Sequence, residues 1–210
     1  MIDTVVFDLG GVLVDWNPDY VFNKVFEGQL DRKEYFYQNV CTADWNEQQD
    51  AGREISVATN ELVAKHPGWE AEIRAFYGRW EEMLGGPIAE VVDILKNLKE
   101  SKLPVYALTN WSAETFPIAQ RRYEFLSWFD GIVVSGVEKT RKPFGEFFQI
   151  LFDRYNIDAR RAFFVDDNLR NVAAARELGM HAVPFTTAEK LRSDLAEAGI
   201  VLFSSPGTKQ

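Results

Sequence analysis

Residues 5–13 read VVFDLGGVL, and this stretch predicts how the chain begins to fold. Val5, Val6 and Phe7 form a short β-branched and aromatic run, which is typical of a buried strand. An acid and two glycines follow directly, and this combination favours a tight loop after the strand. The stretch therefore predicts a buried strand whose end carries Asp8.

The second half of the chain alternates short apolar runs with amphipathic patterns. The predicted strands cover 105–108, 132–134, 162–165 and 180–183, and the predicted helices cover 88–98, 147–155, 171–178 and 188–198. This alternation predicts an α/β fold, with a Rossmann-like parallel sheet covered by helices on both faces.

The region between these two parts has a different character. From residue 16 to about residue 83 apolar residues recur at helical spacing, strand-like runs are missing, and Gly85-Gly86-Pro87 ends the region. We therefore expect a core domain and an inserted helical cap. The predicted core covers 1–15 and 86–205, the cap 16–85, and a frayed tail 206–210.

Composition and charge exclude several classes of partner. The 210 residues include 23 basic and 32 acidic side chains, giving a net charge of −9, which argues against nucleic acid and anionic membrane surfaces. The single cysteine, Cys41, excludes an intramolecular disulfide and a multi-cysteine zinc site. No signal-peptide pattern or membrane-length apolar run occurs, so we expect a cytoplasmic protein. The sequence is compatible with a monomer and with a homodimer.

Polar side chains gather where the predicted strands end. Asp8 follows the first strand, Thr109 and Asn110 follow the second, and Asp166 with Asp167 follow the strand at 162–165. Ligands of open parallel sheets bind at the carboxyl ends of the strands, so these side chains are expected to meet. Two adjacent carboxylates repel each other unless a cation or a donor compensates them, which favours a functional site.

These residue types suit phosphoryl transfer. Asp8 is the candidate nucleophile, and Lys142 with Mg²⁺ would supply the positive environment that an anionic phosphoryl group needs. Mg²⁺ prefers a few carboxylate oxygens plus phosphate oxygens, which fits Asp8 with Asp167. Thr109 and Asn110 would hydrogen-bond the phosphoryl oxygens, with a helix N-terminus directly after Asn110 adding backbone donors.

The four segments, in this order, resemble the motifs of the haloacid dehalogenase (HAD) superfamily. They are Asp8-Leu9-Gly10-Gly11-Val12-Leu13, Leu108-Thr109-Asn110, Arg141-Lys142-Pro143 and Phe164-Val165-Asp166-Asp167-Asn168. The cap after the first motif is of the C1 type, and the chain is similar to glucose-1-phosphate phosphatase-like and epoxide hydrolase N-terminal-like members. The resemblance implies a HAD fold and a Mg²⁺-dependent phosphatase of a small phosphate ester, with a sugar phosphate as one candidate.

The chain departs from the superfamily pattern at Gly10. Phosphatases of the superfamily usually carry a second Asp at this position, which protonates the leaving alkoxide and later activates water. A glycine has no proton to give, although its carbonyl remains a candidate metal ligand. Two alternatives stay open: a 2-haloacid dehalogenase that uses Asp8 as nucleophile, and a non-catalytic binding protein with the HAD fold.

Further residues are assigned supporting roles. Asp166 and Asn171 are expected to support the metal ligands. The predicted substrate contacts, weaker as candidates, are Gly11, Trp45, Asn46 and Gln49. A dehalogenase needs an arginine for the substrate carboxylate. Arg53 is the candidate, but its pattern favours an exposed helix position.

Overall fold

A computed structural model describes residues 1–202, so the predicted tail at 206–210 lies outside the described residues. The strands are β1 (Thr4–Phe7), β2 (Val14–Trp16), β3 (Leu84–Pro87), β4 (Val105–Thr109), β5 (Gly131–Val134), β6 (Ala162–Asp166) and β7 (His181–Pro184). Five of them form one parallel sheet in the order β5-β4-β1-β6-β7. The predicted α/β class with a parallel sheet is thus confirmed.

The register of this sheet brings the polar strand ends to one edge. Phe7 of β1 aligns with Ala107 of β4 on one side and with Val165 of β6 on the other. The residues that follow in each strand, Asp8 among them, therefore leave the sheet at the same edge. This edge is where ligands of parallel α/β sheets bind.

The helices fall into two groups. Those between β2 and β3 are α1 (Asp19–Val25), α2 (Leu30–Asn39), α3 (Ala43–Asp50), α4 (Ile55–Lys65) and α5 (Glu70–Gly78). Those after β3 are α6 (Ala89–Glu100), α7 (Phe116–Arg122), α8 (Ser135–Glu138), α9 (Gly145–Tyr155), α10 (Leu169–Glu177) and α11 (Ala188–Glu197). The four helices predicted after residue 86 correspond to α6, α9, α10 and α11.

The sheet is buried on both faces because its strands are apolar throughout. Val5, Val6 and Phe7 are each fully buried. Successive side chains of a strand point to opposite faces, so Val5 and Phe7 join one apolar cluster and Val6 joins the other. The first cluster continues into α1–α5, where Phe22 and Phe76 lie with their ring centroids 5.9 Å apart.

The antiparallel pair β2–β3 corrects two of the predictions. Val14 pairs with Pro87 and Trp16 with Leu84, so strands lie where the sequence indicated the start of a helical region and a Gly-Gly-Pro break. The pairing joins segments far apart in the sequence, which local patterns do not reveal. Gly85 is required there, because a Cβ at this position would collide with the carboxylate of Asp15.

The helix expected directly after Asn110 begins later than predicted. Residues 111–115 form a loop, and α7 begins at Phe116, so the loop and not a helix terminus follows Asn110. Within the described residues, no helix is both long and apolar enough to span a bilayer.

Candidate active site

A buried lysine joins two of the three carboxylates at the sheet edge. Lys142 is fully buried, and its Nζ lies 2.9 Å from Oδ1 of Asp8 and 2.7 Å from Oδ2 of Asp166. Asp8 itself follows β1, and Leu9 N–H donates to its Oδ1 at 2.7 Å. A buried ammonium is stable only with such partners. The three side chains therefore form one charged unit.

Asp166 has no oxygen left for a metal ion. Besides Lys142, its carboxylate accepts hydrogen bonds from the backbone N–H of Asn168 at 2.8 Å and from Nδ2 of Asn171 at 3.0 and 3.1 Å. Both oxygens are thus occupied by protein donors. Asp166 holds Lys142 in place, and Asn171 holds Asp166, whereas the sequence predicted that both support the metal ligands.

The remaining carboxylates suit a cation. Oxygen atoms of Asp8, Asp166 and Asp167 lie within 4.8 Å of one another. Since Asp166 is saturated, Asp8 and Asp167 are the oxygen donors available. Gly11 allows the approach of Asp167, because a Cβ at Gly11 would collide with Oδ2 of Asp167 and because its φ is +72°. Gly10, the other predicted metal ligand, lies in the same loop.

The charge balance also favours a cation. Burial raises the pKa of Asp8 to about 8; Lys142 opposes the shift, whereas Asp166 and Asp167 add to it. Burial and the charge of Asp166 likewise raise the pKa of Asp167. Burial lowers the pKa of Lys142, but Asp166 and Asp8 more than offset this effect and the pKa is raised. Three carboxylates face one ammonium, so a divalent cation would neutralise the excess charge.

Thr109 and Asn110 do not have the same position in the site. The hydroxyl of Thr109 is fully buried and has no hydrogen-bond partner among the described residues. The amide of Asn110 is engaged at both ends, because Nδ2 donates to Lys142 O at 3.0 Å and Oδ1 accepts from Lys142 N–H at 2.9 Å. The hydroxyl of Thr109 thus stays unpaired within the described residues, whereas Asn110 positions the backbone of Lys142.

A cavity opens beside these residues, between the core and the helices α1–α5. Its lining consists of Gly10, Trp16, Asn46, Asp50, Trp80, Asn110, Trp111 and Thr115. Gly10 lies two residues after Asp8, and Asn110 directly follows Thr109 at the end of β4, so the cavity adjoins the charged unit. Three tryptophans supply the aromatic part of its walls, and polar side chains supply the rest.

The cavity receives only one of the three substrate contacts predicted on α3. Asn46 lines it, but Trp45 and Gln49 do not. Trp45 is buried against Phe76, with ring centroids 5.4 Å apart, and Gln49 is fully buried with its Nε2 donating to Trp45 O at 2.5 Å. Trp45 and Gln49 are four residues apart and therefore lie on one face of α3. This face packs against the other helices and not against the cavity.

Arg53 is occupied elsewhere. Its guanidinium contacts Oε1 of Gln48 at 2.8 Å and Oε2 of Glu61 at 2.6 Å, and it does not line the cavity. Arg53 lies half-buried in the loop between α3 and α4, so the exposed helix position expected for it is wrong. It is also not placed to bind a substrate carboxylate in the cavity.

Sequence reasoning missed a contact between α3 and the core. Glu47 bridges two core arginines: its Oε2 lies 2.6 Å from Arg141 Nη2 and its Oε1 lies 2.6 Å from Arg170 Nη2. It also missed Asp50, at the end of α3, as a lining residue. Ordinary charged residues of a helix carry no local signal of such distant partners.

Comparison with known proteins identifies the family. Residues 2–179 match the model of the haloacid dehalogenase-like hydrolases, so the chain belongs to this family of enzymes. The resemblance found in the four motifs is thus confirmed. A sesquiterpene phosphatase of Aspergillus oryzae is 31% identical, over 86% of this chain and 88% of its own length. A drimenol cyclase of Aspergillus calidoustus is 25% identical over 100% of this chain, which covers 38% of that protein.

Solved structures share the fold at low sequence identity. A HAD family enzyme of Bacteroides thetaiotaomicron, solved with magnesium and inorganic phosphate, superposes with a TM-score of 0.67 at 22% identity, covering 88% of this chain and 94% of that one. The L-2-haloacid dehalogenase of Xanthobacter autotrophicus gives a TM-score of 0.62 at 19% identity, covering 96% and 85%. Both likenesses establish the architecture.

Proposed function

We propose that the protein is a Mg²⁺-dependent phosphatase that transfers the phosphoryl group of a small phosphorylated metabolite to Asp8 and then to water. The observation that carries this proposal is the pair of carboxylates, Asp8 and Asp167, that can still offer oxygen atoms to a cation beside the buried ammonium of Lys142. A nucleophile, a cation site and a fixed positive charge thereby lie together at the ligand-binding edge of the sheet.

Each residue of the site has its own role in phosphoryl transfer. An oxygen of Asp8 attacks phosphorus, and the aspartyl-phosphate that forms is later hydrolysed. Lys142 stabilises the negative charge of the phosphoryl group and remains held by Asp166. The unpartnered hydroxyl of Thr109 donates to a phosphoryl oxygen. Asn110 fixes the loop of Lys142 through two hydrogen bonds.

The donor set fits Mg²⁺, with Asp8, Asp167 and the carbonyl of Gly10 as the proposed ligands. Hard oxygen donors and an excess of negative charge are what this ion prefers. When bound, Mg²⁺ would neutralise charge on the phosphoryl group. The same charge argument disfavours the dehalogenase reaction, because a haloacid carboxylate would meet the carboxylates of Asp166 and Asp167. Arg53 is also occupied by Glu61.

We further propose that residues 16–85 act as a cap that sets specificity. The walls formed by Trp16, Trp80 and Trp111 favour a leaving group with an apolar face. Sugar rings and isoprenoid chains both have such a face, and the relative from Aspergillus oryzae is a sesquiterpene phosphatase. A panel of sugar phosphates and isoprenyl phosphates therefore follows once turnover is established.

The test is phosphate release from p-nitrophenyl phosphate with Mg²⁺ and with EDTA, in the natural protein and in Asp8→Asn. The weakly basic leaving group needs little protonation, so the glycine at position 10 does not hide turnover. We expect metal-dependent turnover that falls by about 10⁴-fold or more in Asp8→Asn, because a nucleophile is lost.

Asp93→Asn is the matched control, since Asp93 is an exposed carboxylate on α6, and it should retain full activity. Absence of phosphate release from well-folded protein, or equal release from Asp8→Asn, would contradict the proposal. Halide release from 2-haloacids then tests the dehalogenase, and failure of both reactions leaves the non-catalytic binding protein.

A further inference from the structure

The core has no side chain at position 10, two residues after the nucleophile Asp8, that could donate a proton to the leaving group. Gly10 has no side chain, and an added Cβ would have no neighbour within 4 Å. The empty space beside Gly10 belongs to the cavity. A leaving alkoxide is strongly basic, so its departure requires a proton from another group that reaches this space.

Asp50 is the carboxyl group that lines the same cavity as Gly10. It is the last residue of α3, is half-buried, and lines the cavity together with Gly10 and Asn110. Its Oδ2 accepts a hydrogen bond from Nδ2 of Asn46 at 3.0 Å, and Asn46 in turn accepts from the hydroxyl of Tyr77 at 2.8 Å. The carboxyl group is therefore oriented by neighbours of its own helical region.

Contacts with the core hold the end of α3 over the site. The hydroxyl of Ser135 donates to Asp50 O, and Gly52 packs so closely that a Cβ would come 2.8 Å from Gly136 O. The bridge from Glu47 to Arg141 and Arg170 fixes the middle of the same helix. The position of Asp50 relative to Gly10 is thus set by contacts on two sides.

The surroundings of Asp50 favour a proton on the carboxyl group near neutral pH. Burial raises its pKa to about 7; a hydrogen bond from the Ser112 backbone opposes this shift, Glu47 adds to it, and Arg141 opposes it. Tyr77 also faces the carboxyl group from α5. General acids work best when their pKa lies near the operating pH.

We infer that Asp50 is the general acid and base of the reaction, supplied by the helical region in place of the side chain that Gly10 lacks. This inference rests on the proposed phosphatase function. In the first step the Asp8 oxygen–phosphorus bond forms, the bond from phosphorus to the leaving oxygen breaks, and that oxygen takes its electron pair and the proton of Asp50. In the second step water attacks phosphorus, its proton goes to Asp50, and Asp8 is released.

The test compares two leaving groups in Asp50→Asn. The value of kcat/KM reports the steps up to the first irreversible one, here phosphoryl transfer to Asp8. For n-butyl phosphate, whose alkoxide needs a proton, we expect kcat/KM to fall by about 10²–10⁴-fold. For p-nitrophenyl phosphate we expect a change of less than about 10-fold, because the phenolate leaves unprotonated. Asp44→Asn, an exposed acid on the same helix, should change neither.

A second variant separates chemistry from folding. The free space at Gly10 accommodates a side chain, so Gly10→Asp combined with Asp50→Asn should recover much of the n-butyl phosphate activity. Equal losses for both substrates, no loss in Asp50→Asn, or a natural enzyme that cleaves only p-nitrophenyl phosphate would overturn the role of Asp50. If the natural enzyme cleaves neither with Mg²⁺, the phosphatase function itself fails, and the role of Asp50 falls with it.

Discussion

The core and the helical region hold their carboxyl groups at the site in different ways. On the core side, Asp8 and Asp166 share the fully buried ammonium of Lys142, and every oxygen of Asp166 is hydrogen-bonded. On the helical side, Asp50 accepts from the amide of Asn46, and no ammonium or guanidinium contacts its carboxylate within the described ion pairs.

The two regions thus differ in whether a cation contacts the carboxyl group. Burial raises the pKa of both Asp8 and Asp50, but on the core side the ammonium of Lys142 contacts the carboxylate and opposes this rise, whereas no cation contacts Asp50 among the ion pairs that the described residues form. The core side is thus suited to bind a metal ion and a phosphoryl group, and the helical side is suited to exchange a proton. The predictions below disturb first the core side and then the contact between the two.

Replacing the central cation should have the largest effect. In Lys142→Met, the buried carboxylates of Asp8 and Asp166 lose their partner, which we expect to lower the free energy of unfolding by about 3–5 kcal/mol. Activity should be lost in the folded fraction, because no fixed positive charge faces the phosphoryl group. Urea unfolding and phosphate release measure the two effects.

The pH dependence of this variant has a defined sign. The pKa of Asp8 is already raised above its ordinary 3.8 to about 8 in the folded protein, and loss of Lys142 raises it further. In both proteins the stability that Asp8 contributes is fully present below about pH 4 and falls as pH rises. Asp8 of the natural protein ionises near pH 8 and that of the variant only at higher pH, so the deficit of the variant should grow as pH rises above about 8. Lys96→Met, at an exposed position on α6, is the control. A deficit that shrinks with rising pH would contradict this account.

Removing the free carboxylate should have an intermediate effect. At a Mg²⁺ concentration of about 100 times its dissociation constant, binding stabilises the natural protein by about 2.7 kcal/mol. For a chain of this size this corresponds to a rise in Tm of roughly 5–10 °C. Asp167→Asn removes one of the two available ligands, so most of the rise should disappear in a thermal-shift titration.

The comparison for Asp167→Asn is made with the Asp93→Asn control, which should keep the full rise. An unchanged rise in Asp167→Asn would place the cation elsewhere.

Weakening the contact between the two regions should have the smallest effect. Glu47→Gln keeps the shape of the side chain but removes its charge, and ion pairs near the surface contribute about 0.2–1 kcal/mol each. We expect a similarly small loss of stability and a few-fold rise in KM, because α3 is held less firmly over the cavity. Denaturant titration and steady-state kinetics check the two results.

The matched control breaks an ion pair inside the helical region. Glu61→Gln removes the contact with Arg53 and should lower stability by a similar small amount while leaving KM unchanged. If both variants change KM alike, the bridge of Glu47 to the core has no special role.

The sequence alone predicted most of the core side of the site. Apolar runs revealed the strands, and since parallel strands end at one edge, the acids after them could be expected to meet. Thus Asp8, Lys142 and Asp166 were all predicted to lie together, and the structure brings them within hydrogen-bonding distance. The hydrogen-bond partners could not be predicted in this way. Asn110 was expected to bind phosphate, but its side-chain amide hydrogen-bonds the backbone of Lys142.

The helical side could not be predicted in the same way. Helix periodicity indicates that α3 has a buried face, but it does not say what covers the other faces. Trp45 was therefore considered as a substrate contact, although it packs among the helices, while Asp50 was overlooked. The pairing of β2 with β3 was missed for a related reason, because its partners are distant in sequence.

The sequence by itself determined the α/β class, the family and the chemical character of the core residues, because these follow from local periodicity and from motifs at strand ends. Only the tertiary structure decided the strand order, the saturation of Asp166, the bridge of Glu47 and the placement of Asp50 in the same cavity as Gly10. The physical reason is that hydrogen bonds, ion pairs and shared cavities depend on distances between residues that only the packed chain brings together.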